Sequence, residues 1–151
     1  MTELELQAQV ADYLRLQYPD VLFHSDVGSG IKLTMGQAVK QKRLQGGRRA
    51  WPDLFVAVGR GEHIKRGHDE PPKFGNYVCS PVPGIDMYVC CGLMIELKRE
   101  GTRLKKKSGE WASDHIAEQA EVLSKLRENG YAAEFACGFD EAKKIIDEYL
   151  G

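Results

Sequence analysis

The chain has 151 residues, 42% apolar and 28% charged, with 21 Lys and Arg against 22 Asp and Glu for a net charge of -1. That length suits one domain able to bury a core without staples, and the charge excludes a uniformly basic nucleic-acid binder. No apolar run approaches a bilayer span, and the acidic start Met1-Thr2-Glu3-Leu4-Glu5 is unlike a signal peptide, so a cytoplasmic location with no membrane partner is expected.

A first helix is expected from about residue 2 to 17, ending before Tyr18-Pro19-Asp20. Leu6, Val10, Tyr13 and Leu14 recur at helical spacing as its buried stripe, and Glu3 falls within that stripe while Glu5 lies away from it. Either Glu3 is paired or ligating on the inward face, or the first turn frays and leaves it in water. Residues 21–24 read as a short strand, followed by a loop, Asp26-Val27-Gly28-Ser29-Gly30, that lacks a nucleotide-binding fingerprint. His24 reads as a packing or surface histidine.

A polar helix over about 35–44 carries Lys40, Lys42 and Arg43, and Gly46-Gly47-Arg48-Arg49-Ala50-Trp51-Pro52 turns the chain into the next strand. Pro52 has no N–H to offer a ladder and so suits a strand's entry, which puts Asp53 at the rim of the sheet. Leu54, Val56 and Val58 should face one side, Asp53, Phe55 and Ala57 the other.

Residues 59–92 interrupt the pattern with Pro71-Pro72, Pro81, Pro83 and six glycines. A structureless loop that long is improbable in a compact domain, so an appended structure or a functional element is expected there. Tyr77-Val78 and Met87-Tyr88-Val89-Cys90 suggest an extra hairpin extending the sheet. His63, His68, Cys79, Cys90 and Cys91 invite zinc, but their spacing fits no compact zinc module. The four cysteines, Cys137 included, lack the spacing of a disulfide scaffold and are expected to be reduced thiols.

Residues 93–98 form the second apolar strand, with Met94, Glu96 and Lys98 on one face and Leu93, Ile95 and Leu97 on the other. If the two strands pair antiparallel across the long connection, Asp53 comes close to Glu96 and Lys98. Beyond a basic loop, a helix over about 113–128 buries Ile116, Ala120 and Leu123, with Gln119 at the edge of the stripe, and stops at Asn129-Gly130. Residues 131–137 read as a third central strand, and Asp140 as the cap of a last helix whose Ala142, Ile145, Ile146 and Tyr149 cover the sheet.

Two carboxylates converging at a sheet edge repel each other, and a shared proton or a divalent cation relieves them. Asp53 and Glu96, with a backbone carbonyl such as that of Leu97 and waters, offer hard oxygen donors that prefer Mg²⁺ or Mn²⁺ to zinc. Lys98, on the same face, can neutralise charge on a phosphorane or orient and deprotonate the attacking water. Five cations lie between Lys40 and Arg49 (Lys40, Lys42, Arg43, Arg48 and Arg49), and a second run from Lys98 to Lys107 includes Arg103, Lys105, Lys106 and Lys107. Two such runs bracketing acids suit a binder of DNA phosphates, although a single charge run is more often a solvated face and Glu96 with Lys98 alone a surface salt bridge.

Glu3 with Gln7, Gly46, Trp51-Pro52-Asp53-Leu54-Phe55, Ile95-Glu96-Leu97-Lys98, Glu118-Gln119 and Gly130-Tyr131 fall in an order that resembles the virus-type replication-repair nuclease domain, VRR-NUC, of the PD-(D/E)XK superfamily. The resemblance spans nearly the whole chain apart from 59–92, with Ala50 standing where members often carry glycine. It implies an α/β, restriction-endonuclease-like central mixed β-sheet flanked by α-helices, and Mg²⁺- or Mn²⁺-dependent DNA cleavage. It further implies Asp53 and Glu96 as metal-binding acids, Lys98 as the catalytic lysine, Glu3 as the first-helix acid and Gln119 as the late glutamine. Stand-alone domains of this kind resemble phage-encoded homodimeric nucleases acting on branched DNA such as Holliday junctions, in the host-cell cytoplasm. The rival reading is a non-catalytic DNA-binding or interaction module on the same fold.

Overall fold

The computed structural model describes residues 1–26, 32–47, 50–63, 73–74, 77–78, 80–81 and 87–151. Helix α1 (Glu3–Gln17) opens on a capping box: Thr2 Oγ1 accepts the Glu5 N–H, and Glu5 Oε2 accepts the Thr2 N–H at 2.7 Å. The first turn is therefore pinned rather than frayed, and Glu5 is spent on the cap. Glu3 is left half-buried on the inward side.

Strand β1 (Phe23–Ser25) pairs antiparallel with β2 (Leu54–Val56), β2 pairs antiparallel with β8 (Leu93–Lys98), and β8 pairs parallel with β9 (Ala132–Cys137), in the sheet order β1-β2-β8-β9. The sheet is thus mixed, and the 131–137 strand expected at its centre is an edge. The parallel step is made by helix α3 (Asp114–Glu128), the crossover that a parallel pair requires. Helix α4 (Phe139–Leu150) closes the chain.

Strand alternation sorts the core onto two faces as the sequence pattern anticipates. Leu54, Val56, Leu93, Ile95 and Leu97 pack against Leu6, Val10 and Leu14 of α1 and Ala142, Ile146 and Tyr149 of α4. On the other face Val122, Leu123 and Leu126 of α3 pack with Ala133 and Met94. Val122 rather than half-buried Ala120 completes the α3 stripe, because the buried arc is rotated so that Gln119 lies within it rather than at its edge. Ser113 caps α3 through the Ile116 N–H. Asp140 does not cap α4; Gly138 holds that position with no side-chain bond, and Asp140 lies in the first turn, where its charge still suits the helix dipole.

The described residues of the 59–92 interruption include five short strands. Strands β3 (Arg60–His63) and β7 (Met87–Cys90) carry the β2–β8 pairing outward. Between Val56↔Leu93 and Arg60↔Cys90, residues 57–59 stand against 91–92, so one extra residue bulges the hairpin there. Strand β6 (Ser80–Pro81) joins β7 as its other neighbour, while β5 (Tyr77–Val78) pairs with β4 (Lys73–Phe74) as a small ribbon. The expected extra hairpin is thus corrected: Met87–Cys90 pairs with the outward run of the first strand, not with Tyr77–Val78. Cys90, Cys91 and Cys137 are free thiols, and His68 and Cys79 lie outside the described residues. Among the described residues no helix is long and apolar enough to cross a membrane.

Candidate metal centre

The register Leu54↔Ile95 sets Asp53 across from Glu96 at one end of the central strand pair. One step further along, Pro52 would face Leu97, and having no N–H it offers Leu97 no ladder donor. The Asp53 carboxylate fills that place: Oδ2 accepts the Leu97 N–H at 2.9 Å. Asp53 is therefore fixed by the same amide row that carries Glu96, while the Leu97 side chain points into the core.

Asp53, Glu96, Lys98 and Gln119 are all buried, at 8%, 3%, 7% and 5% exposure. Lys98 Nζ lies 3.1 Å from Glu96 Oε1, and Gln119 Nε2 donates to that same oxygen from α3. The Glu96–Lys98 pair is thus no solvated surface salt bridge. Burial pushes the Glu96 carboxyl up to about 8, with the Asp53 and Glu3 charges adding to the rise and Lys98 opposing it. Glu96 Oε2 and Gln119 Oε1 are buried without a hydrogen-bond partner. An unpartnered carboxylate oxygen beside other acids is a donor suited to a divalent cation.

These residues share a cleft of about 630 Å³ with Glu3, Asp26, His115, Trp51 and the inner face of helix α2 (Met35–Leu44). Among the described residues no three His, Cys, Asp or Glu side chains gather closely enough to enclose an ion alone. Two carboxylates suffice for Mg²⁺, which keeps several waters of its own. The donor set, all oxygen apart from the Lys98 cation, fits Mg²⁺ or Mn²⁺.

The basic residues divide. Lys40, Lys42 and Arg43 are exposed on α2, and Lys42 lines the cleft. Arg103, Lys105, Lys106 and Lys107 are exposed on a turn closed by the Lys105↔Trp111 bridge. Trp111 packs on Phe135, the β9 residue in register with Glu96, and holds Lys105 Nζ 4.7 Å above its ring, so this turn flanks the centre on the β9 side. Arg48 and Arg49 lie outside the described residues.

Two cleft residues escape the sequence reading. Asp26 follows β1, and its N–H donates to the Asp53 carbonyl at 2.8 Å, so the strand partner, unknown from sequence, brings it in. His115 precedes Gln119 by four residues on α3, a spacing that shares a helix face and was legible.

No family model matches the chain, and no curated protein does. Among solved structures it is similar to a protein described as a VRR_NUC domain protein, at 23% identity, with a TM-score of 0.59 over 99% of this chain and 88% of that one. The likeness covers the mixed sheet and its flanking helices, and the two chains share a fold.

Proposed function

We propose that the chain is a nuclease that hydrolyses DNA phosphodiester bonds with Mg²⁺ or Mn²⁺, acting on branched DNA such as Holliday junctions, as a homodimer. The observation that carries the reading is the buried convergence of Asp53, Glu96, Lys98 and Gln119 on a cleft, with the Glu96 carboxyl pushed up to about 8 and one of its oxygens unpartnered. Surface ion pairs do not need such burial, and desolvated acids at clefts mark functional sites. The fold shared with a VRR_NUC domain protein supports the same reading.

Asp53 and Glu96 would hold the cation, with the Leu97 carbonyl and Glu3 as the candidates to complete its shell. When bound, the ion polarises a phosphoryl oxygen and lowers the pKa of a water molecule. Gln119 keeps the Glu96 carboxylate in one rotamer, so the acid does not have to be ordered as substrate enters. The Lys98 ammonium, 3.1 Å from Glu96 Oε1, would stand where charge builds on the phosphate during attack. A water oxygen then forms the new bond to phosphorus while the bond to the leaving sugar oxygen breaks. The cations Lys40, Lys42, Arg43, Arg48 and Arg49 on one side, and Arg103, Lys105, Lys106 and Lys107 on the other, would hold the flanking phosphates. Two copies are expected because resolving a junction takes two symmetric cuts.

The test is incubation of the protein with a labelled four-way junction, a flap and a plain duplex, in Mn²⁺, in Mg²⁺ and in chelator. Product that needs the ion, and forms fastest on branched DNA, supports the reading. A mobility shift without product under every condition turns it into a DNA-binding module.

A further inference from the structure

Trp51 stands between two depressions. Its ring lines the catalytic cleft, and it also lines a separate, mainly apolar hollow of about 350 Å³ walled by Met94, Val122, Leu126 and Tyr131 together with Lys125 and Asn129. The ring is 41% exposed yet not loose, since its Nε1 donates to the Gln45 carbonyl at 2.9 Å. The hollow arises from the sheet itself. On the face that carries Asp53 and Glu96, the next row is Phe55 and Met94, two residues along each strand and so about 7 Å away. Helix α3 covers only part of that row, and Phe55, Met94 and Tyr131 stay half-buried, with the Phe55 and Tyr131 rings meeting edge to face at 6.3 Å.

We propose that this hollow, entered over Trp51 from the catalytic cleft, takes an unpaired nucleobase of the strand being cut. The proposal rests on the nuclease reading for the identity of that strand. The walls are mainly apolar and the lining cation, Lys125, is paired with Glu121 at 2.9 Å, so a phosphate gains little there, and a paired base in a duplex has both faces stacked. An unpaired base offers a free planar face, for which an anchored, half-exposed indole beside a second aromatic ring is the matching surface. Continuity with the cleft makes the occupant a nucleotide next to the phosphate held there. The hollow therefore selects DNA with unpaired nucleotides beside the scissile bond over a closed duplex.

Stacking of one base on an aromatic side chain is worth about 5- to 150-fold in affinity. The experiment measures binding without divalent cation, by fluorescence anisotropy, to a duplex with a short single-stranded flap and to the same DNA with abasic residues in the flap. The protein should bind the intact flap about tenfold or more tighter than the abasic one. Trp51→Ala should erase that difference, and Trp51→Phe should keep most of it. Equal affinity of the unaltered protein for the two flaps overturns the proposal without any variant having to fold. So does a Trp51→Ala protein that still discriminates, or one whose only change is conversion from dimer to monomer, which makes the face a contact between copies. Discrimination without cleavage in Mn²⁺ upholds the base site and overturns the nuclease reading; cleavage without discrimination does the reverse.

Discussion

The fold makes the charge of Glu96 costly. Its folded pKa of about 8 means that the metal-free protein keeps the proton which the unfolded chain releases near the ordinary value of 4.5. Unfolding therefore releases a proton across that window, and this group's contribution to stability falls as pH rises from about 4.5 to about 8. Thermal melts of the metal-free protein should show a midpoint falling with pH over that range, restored by Mg²⁺ or Mn²⁺, with the restoration growing toward pH 8. Glu96→Gln should flatten both trends. In cleavage assays, Lys98→Ala should lose about 10²- to 10³-fold in rate, the range for removing one aligned electrostatic group. At this scale the sequence was most legible where chemistry and strand parity agree: Glu96 and Lys98 could be put on one face from alternation, and Asp53 beside them once antiparallel pairing of the two strands was assumed. The helix residues were harder. The choice between Glu3 and Glu5 depended on a capping bond, and Asp26 on a strand partner that its own sequence does not specify.

The elements are tied by a few contacts whose loss should be measurable. Gly92 starts the turn into β8 against the Phe55 ring, and a Cβ there would lie 2.6 Å from Phe55 Cε2. Gly92→Ala should cost about 1–3 kcal/mol in denaturant unfolding, the usual penalty for overpacking. Helices α1 and α4 are joined through Asp147, whose Oδ1 accepts from the Tyr13 and Tyr18 hydroxyls at 2.5 and 2.7 Å, while Oδ2 accepts from Lys143. Desolvation, joined by the Asp147 bond and charge, pushes the Tyr18 hydroxyl up to about 12. The fold thus prefers the neutral phenol, and this contribution is complete below pH 10 and lost between about pH 10 and about 12. Tyr13, on the same carboxylate, is raised as well, so tyrosinate absorbance should show a late-titrating component that shrinks in Tyr18→Phe. The helices were legible in sequence because their apolar spacing and caps coincide, as at Thr2 and Ser113. The 131–137 strand was recognised but misplaced, since strand order comes from long-range pairing that no local pattern records.

For the molecule as a whole, the near-neutral charge conceals a division of labour: acids at the end of one strand pair, cations on α2 and on the 105–111 turn to either side. Lys42→Ala should weaken binding to junction and duplex alike and lower the slope of log affinity against log salt by about one, the mark of a phosphate contact. The 59–92 interruption was recognised from sequence as too long to be a plain loop, but not as an outward continuation of the β2–β8 hairpin, because a bulge at 57–59 shifts the strand parity by one. The most direct test of the whole account is single-turnover cleavage of a four-way junction by the unaltered protein and by Glu96→Ala, at matched bound fraction in Mn²⁺. Both proteins should bind, only the unaltered protein should cut, and chelator should stop it. Cleavage by Glu96→Ala at the unaltered rate would contradict the account.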